Sequence, residues 1–171
     1  MTTRALYYED SHLHSFSANV LSCEKAVGGY AITLDATAFY PEGGGQAGDT
    51  GRLGSVRVLD TREQGDAVVH LCDGPLAPGQ TVDGEIDYAD RFRRMQQHSG
   101  EHIVSGILNR RYGCHNTGFH MGSDGIVTVD FDVPFPEEAL PEIEAEANAA
   151  VWINLPVKIW IPSAEELPTV P

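Results

Sequence analysis

Two histidines stand four residues apart in QQHSGEHIVSG, at His98 and His102, with Glu101 between them. On a helix this spacing puts both imidazoles on one face, one turn apart. Such a pair is half of a divalent-metal site, and zinc, held by four ligands or by three and a water, is the first candidate. The same residues fit a second template. Read as H-x-x-E-H, they offer two ligands and a glutamate base, the pattern of the inverted zinc peptidases. Histidines at this spacing also occur on helix surfaces that hold no metal, so the pair acquires meaning only from the rest of the chain.

A second stretch, FYPEGGGQAGDTG at residues 39 to 51, carries Gly43, Gly44 and Gly45 in succession and then Gln46. Three glycines allow backbone angles and close approaches that a Cβ forbids, and the Gln46 amide can both donate and accept a hydrogen bond. A phosphate cradle would need a following helix and usually a lysine, and neither is present, so the stretch reads either as a tight turn or as a loop holding a ligand against its main chain. The three cysteines, Cys23, Cys72 and Cys114, are odd in number and form no C-x-x-C. They signal neither a disulfide framework nor a zinc knuckle, and read as small buried residues or free thiols.

The elements that position these residues are legible as patterns. Residues 1 to 88 form a series of short alternating segments (ALYYE, HSFSANVLSC, YAITLDATAFY, GDTGRLGSVRVLD, AVVHLCD, QTVDGEID) punctuated by Gly, Pro, Asp and Asn. This predicts a small antiparallel β-barrel. From residue 89 the period changes. Phe92, Met95, Ser99, His102, Ile103 and Ile107 recur at threes and fours, predicting a helix from about 90 to 111, with Asp90 as its N-cap and an end near Gly113. HNTGFHMG and GIVTVDFD read as strands, residues 136 to 154 as an acidic helix with Pro141 near its start, and LPVKIWIP as a strand. SAEELPTVP looks like the opening of another helix. The expected class is therefore α+β: a barrel over 1–88, then an α/β layer over 89–171 with the long helix packed on a sheet.

Composition narrows the function classes. An apolar fraction of 42% with 21% charged residues belongs to a folded globular chain. No apolar run reaches about 18 residues and the N-terminus has no signal-peptide pattern, so no membrane partner and a cytoplasmic location are expected. A formal net charge of −14 argues against broad binding to a phosphate backbone. Five of the eleven basic residues (Arg91, Arg93, Arg94, Arg110, Arg111) nevertheless fall between 91 and 111, while residues 121 to 171 carry ten acids and only Lys158. That cluster is either a local basic edge for RNA or a helix surface bridged to the acidic half.

FYPEGGGQ followed about fifty residues later by QQHSGEHIVSGIL resembles the editing domain of alanyl-tRNA synthetase and its freestanding AlaX-type relatives. GFHMG, VTVDFD and EAEANAAVWINLPVKIWIP follow in the family's order, so the resemblance runs over essentially the whole chain. It implies hydrolysis of a misacylated tRNA(Ala), Ser-tRNA(Ala) or Gly-tRNA(Ala), at the ester to the terminal adenosine. The implied partner is the tRNA(Ala) acceptor end, and the implied cofactor is zinc held by His98 and His102 together with a later C-x-x-x-H pair. That second pair has no counterpart in these residues and is expected beyond residue 171, as is any extension that would make a homodimer.

The resemblance also implies that Gln46 and the loop of Gly43, Gly44 and Gly45 line the pocket opposite the metal, and that Thr37 could bond a seryl hydroxyl. Cys114 and His115 follow the helix too far along to join the pair, twelve residues at about 1.5 Å being about 18 Å, whereas His120, on a returning strand, is the expected neighbour in the pocket wall. Two alternatives remain. One is a non-catalytic module that binds the acceptor end or another partner. The other is an inverted zinc peptidase using Glu101, for which Glu138, Glu142 or Glu144 could be the third ligand with nothing to select among them.

Overall fold

The computed structural model describes residues 2–122, 125–157, 159–160 and 162–169. Among these residues it is a mixed α and β structure with a six-stranded antiparallel sheet, two two-stranded pairings and two α-helices. β1 (Arg4–Ala5) pairs in parallel with β4 (Ala36–Thr37). β2 (Ser15–Ala26), β3 (Gly29–Leu34), β5 (Gly51–Leu53), β6 (Val56–Gln64), β7 (Ala67–Cys72) and β8 (Thr81–Ile86) pair in the order β2-β3-β7-β6-β5-β8, and β8 returns to pair with β2, so the ladder closes on itself. Strand alternation explains the closure. In β8, Val82, Gly84 and Ile86 are buried while Thr81, Asp83 and Glu85 are exposed, and the inward sets of all six strands meet in one core around Val20, Ile32, Leu34, Phe39, Leu53 and Val58.

The expected ALYYE strand is confined to β1. Its remainder is a 3-10 turn, Leu6–Tyr8, closed by Glu9 N–H on the Leu6 carbonyl and braced by the Arg4 guanidinium on Glu9.

Thr37 lies at the centre of that core. His70, fully buried, donates from Nδ1 to the Ile32 carbonyl at 3.0 Å, which leaves Nε2 to accept from the Thr37 hydroxyl at 2.9 Å. Burial lowers the His70 pKa from 6.5 to about 4. The unfolded chain therefore takes up a proton below pH 6.5 that the folded chain refuses until about pH 4, so stability falls as pH falls through that window. A shift of this size is expected to remove about 3 kcal/mol between pH 7 and pH 4. Denaturant titrations at stepped pH, with the His70 ring followed by NMR, check it. A ring titrating near 6.5 in the folded protein would contradict it.

α1 (Tyr88–Tyr112) is longer than the periodicity predicts by a few residues at its start. Asp87, not Asp90, occupies the N-cap; its carboxylate goes to Thr50 and Arg57, while Asp90 lies in the first turn and pairs with Arg93. Gly113, at φ +69°, ends the helix in the left-handed conformation that glycine tolerates. β9 (Asn116–Met121) and β10 (Val127–Phe131) form a two-stranded antiparallel sheet, and α2 (Leu140–Trp152), preceded by a 3-10 turn over Glu137–Ala139, packs on α1 through Ile107, Leu108, Ala139 and Ile143.

LPVKIWIP is not a strand among the described residues, Lys158 and Ile161 lying outside them. Among the described residues no strand edge pairs with this segment, and alternation without a pairing partner does not make a strand. The expected final helix is a single 3-10 turn, Leu167–Thr169. No helix among the described residues is long and apolar enough to cross a membrane.

The basic cluster is consumed internally. Arg91 pairs with Asp49, Arg93 with Asp90, Arg110 with Glu146 and Arg111 with Glu142 and Glu146, while Arg94 donates to the Gly48 carbonyl. Only Arg110 and Arg111 bridge to the acidic half; Arg91 and Arg94 brace the loop at residues 48–49, and Arg93 pairs within α1.

Candidate metal centre

The glycine stretch forms a narrow hairpin. Gly43 and Gln46 exchange two backbone hydrogen bonds of 3.0 Å, and Gly44 and Gly45 occupy the two turn positions at φ +59° and +78°. A two-residue turn with positive φ at both positions is the form that suits the strand twist, and glycine accepts it without strain. Gly45 is required for a second reason: a Cβ there would lie 2.4 Å from the Phe119 carbonyl oxygen. The turn therefore sits directly on β9, with the Met121 amide donating to the Gly45 carbonyl at 3.4 Å.

That contact carries Gln46 to the histidine face of α1. The buried Gln46 places Oε1 3.2 Å from His98 Nδ1, although fifty-two residues separate them. The His98 and His102 rings stack at 5.1 Å and 17°, which the four-residue spacing permits, and the Phe119 ring lies 5.1 Å from that of His98. His102 Nδ1 lies 3.3 Å from Glu101 Oε2. The other Glu101 oxygen accepts from Ser105 Oγ and from Asn116 Nδ2. The nitrogen, oxygen and nitrogen atoms of His98, Glu101 and His102 form a group within 4.8 Å of one another.

The His98 Nδ1 is hydrogen-bonded to the Gln46 amide oxygen, whereas the Glu101 carboxylate lies beside the His102 Nδ1 at ion-pair distance. A proton held on His98 Nδ1 leaves its Nε2 unprotonated, which is the ring state that a metal-bound histidine needs. Burial, with the neighbouring His102 second and Glu101 opposing, lowers the His98 pKa, and so favours the neutral ring. The donor set fits a divalent metal with affinity for imidazole, zinc included.

A profile of the family described as tRNA synthetases class II (A) matches residues 2–90, more than half of the chain. The chain belongs to the alanyl-tRNA-synthetase-related editing-domain family. Relatives in this family include the alanine–tRNA ligase of Pyrobaculum arsenaticum, 40% identical over 93% of this chain and 18% of that one. The alanine–tRNA ligase of Thermofilum pendens is 40% identical over the same two shares, 93% and 18%. The alanyl-tRNA editing protein Aarsd1 of Mus musculus is 30% identical over 90% of this chain and 40% of that one. The chain therefore spans less than half the length of these relatives.

Of the site residues expected in this family, Gln46, Gly44, His98 and His102 come together, and Gly43 and Gly45 shape the turn that brings Gln46 there. Two do not join them. Thr37 is fully buried, its hydroxyl spent on His70 and accepting from the Phe39 amide at 3.1 Å. His120 is exposed on β9 next to Phe119, and because successive strand side chains point to opposite faces, the ring beside His98 is that of Phe119. His120 is therefore not the neighbour expected in the pocket wall. Cys114 is buried, and His115 is exposed and engaged with Asn109.

Sequence reasoning missed Phe119, Ser105 and Asn116, and weighed Glu101 only as a peptidase base. The alternation within GFHMG allows only one of Phe119 and His120 to face the helix, a signal that was available. A cavity of about 400 Å³ between α1, β10 and α2 is lined by Glu101 and by apolar residues such as Val104, Val127 and Val151, and by neither histidine.

Proposed function

We propose that this chain is the ester-hydrolysing part of an alanyl-tRNA trans-editing protein of the cytoplasm, which removes serine or glycine from misacylated tRNA(Ala) with the help of zinc at His98 and His102. The observation that carries the reading is the meeting of Gln46 with His98 beside His102, with His98 Nδ1 bonded to Gln46 and His102 Nδ1 beside the Glu101 carboxylate. The name of one relative, alanyl-tRNA editing protein, supports this chemistry, and the alanine–tRNA ligase name supports an alanine tRNA as the substrate. When bound, a zinc with an open position polarises an ester carbonyl or lowers the pKa of a water. The chain's own groups orient and confine: Gln46 holds the His98 ring, Glu101 sets a negative charge beside His102, the main chain of Gly44 and Gly45 presents a wall without side chains, and Phe119 packs against His98. An aminoacyl ester is labile already, so positioning is most of the task. The remaining metal ligands lie outside this group.

The peptidase alternative needs Glu101 facing water as a base. Glu101 is instead buried, with Oε1 accepting from Ser105 and Asn116 and Oε2 beside His102.

The deciding experiment incubates the protein, loaded with zinc, with Ser-tRNA(Ala), Gly-tRNA(Ala) and Ala-tRNA(Ala). Faster loss of the seryl or glycyl ester than of the alanyl ester is expected. Equal survival of all three with retained binding to an acceptor-stem minihelix would favour the non-catalytic module in its place.

A further inference from the structure

The glycine turn is tied to α1 by more than its tip. Asp49, which ends the loop, is fully buried, and its Oδ2 pairs with Arg91, itself only 4% exposed, and accepts the Tyr40 amide at 2.8 Å. Arg91 also donates to the Ala38 carbonyl at 3.4 Å and lies 5.5 Å above the Tyr40 ring. One helical turn further on, Arg94 donates to the Gly48 carbonyl at 3.1 Å and lies 3.8 Å from Asp49 Oδ1. The next turn brings His98, with Gln46 against it. Asp49, Gly48 and Gln46 thus meet Arg91, Arg94 and His98 in order. Seven helical residues rise about 10.5 Å, and three residues of extended chain reach about 10 to 11 Å, so the two runs match in length.

On its far side the loop is held to β6. Thr61 Oγ1 donates to the Asp49 carbonyl at 2.7 Å, and its own carbonyl accepts the Glu42 amide at 2.9 Å.

This arrangement is costly as a source of stability. Burial raises the Asp49 carboxyl above its usual range, with Arg91 opposing, and Asp49 Oδ1 has no hydrogen-bond partner among the described residues. A buried ion pair is seldom better for stability than apolar side chains of the same volume, and its best-attested use is to set register.

We propose that the Asp49–Arg91 pair is a register clamp. It fixes where the glycine loop lies along α1, so that Gln46 meets His98 Nδ1, and Asp49 and Arg91 are positioning residues for the metal centre. This rests on the metal reading above. An apolar or shifted contact at the base of the loop would leave the fold intact and let Gln46 slide past His98.

The test compares Arg91→Lys, which keeps the charge and loses the planar fork, with Val58→Ala, a core change in the sheet, in protein verified as folded by circular dichroism. Zinc affinity is measured by competition with a chelator. Arg91→Lys is expected to weaken zinc measurably, by no more than the about 10- to 100-fold that losing a ligand's direct supporting partner costs, whereas Val58→Ala lowers the melting temperature and leaves zinc affinity unchanged. Equal affinities in Arg91→Lys and native protein overturn the clamp. Should Arg91→Lys fail to fold, Arg94→Gln decides: it removes one hydrogen bond from the same run and is expected to cost about two- to tenfold, and no change overturns the proposal.

If no zinc binding is measurable with His98 and His102 as the ligands at hand, the clamp is judged in the metal-free protein, independently of the metal reading. The 15N signals of the His98 ring then report whether the proton sits on Nδ1. A native ring protonated at Nδ1, with mixed tautomers in Arg91→Lys or Arg94→Gln, supports the clamp. Identical ring signals overturn it.

Discussion

Replacing either His98 or His102 by alanine is expected to weaken zinc binding by about 100- to 1,000-fold and to abolish hydrolysis of Ser-tRNA(Ala). Structural zinc sites are worth about 10 to 16 kcal/mol, and one ligand in four is about a quarter of that, close to 3 or 4 kcal/mol. The fold should survive both changes. The His102 side chain is 72% exposed and contributes little packing, and His98 lies at the edge of the Phe119 contact without entering either core cluster. Glu101→Gln should weaken zinc less, because an amide oxygen can still accept from His102 and the loss is confined to a supporting partner, about 10- to 100-fold. Chelator competition on the three variants, with melting temperatures alongside, checks the ranking. Native-like affinity in both histidine variants would remove the basis for a metal at this position.

Gly45→Ala should have the second large effect, by a route that touches no ligand. The residue sits at φ +78°, where a Cβ costs about 1 to 2 kcal/mol, and that Cβ would lie 2.4 Å from the Phe119 carbonyl. Something must move, and overpacking of this kind adds about 1 to 3 kcal/mol. The expected result is a loss of about 2 to 5 kcal/mol, or a loop lifted off β9 with Gln46 withdrawn from His98. Gly44→Ala separates the two causes. Its φ of +59° gives the strain, but its Cβ would meet only His98 Cε1 at an ordinary 3.7 Å. It should therefore cost no more than the strain alone. Urea denaturation of both variants measures the difference, and equal losses would show that the approach to Phe119 is not what demands glycine at Gly45.

Much of this architecture is written in near neighbours along the chain. Period-two alternation marks β2, β3, β6, β7 and β8, because a half-buried strand must show one face to the core whatever its partners are. The three- and four-residue recurrence from Phe92 to Ile107 marks α1, and Gly113 marks its end, because helix geometry and the left-handed cap are local requirements. The stacking of His98 on His102 follows from the same helical period.

Other features depend on which distant group arrives first. Asp87 takes the N-cap of α1 ahead of Asp90 because β8 delivers the chain there, with Thr50 and Arg57 waiting for its carboxylate. The alternating apolar residues of LPVKIWIP make no strand among the described residues, for want of an edge to pair with. The arginines of α1 look like a basic edge until Asp49, Glu142 and Glu146 come across from other elements to take Arg91, Arg110 and Arg111.

The site divides in the same way. By itself the sequence determined the spacing of His98 and His102, the glycine turn and the presence of an amide at Gln46, because helix period and turn conformation are set by residues a few positions apart. Tertiary structure alone decided that Gln46 meets His98, that Glu101 turns inward to Ser105, Asn116 and His102, that Phe119 and not His120 faces the helix, and that Thr37 spends its hydroxyl on His70. Each of these is a choice among several polar or aromatic partners of equal local propensity. The choice is made by the register at which the loop, the helix and the β9–β10 sheet pack, and contacts between residues dozens of positions apart fix that register.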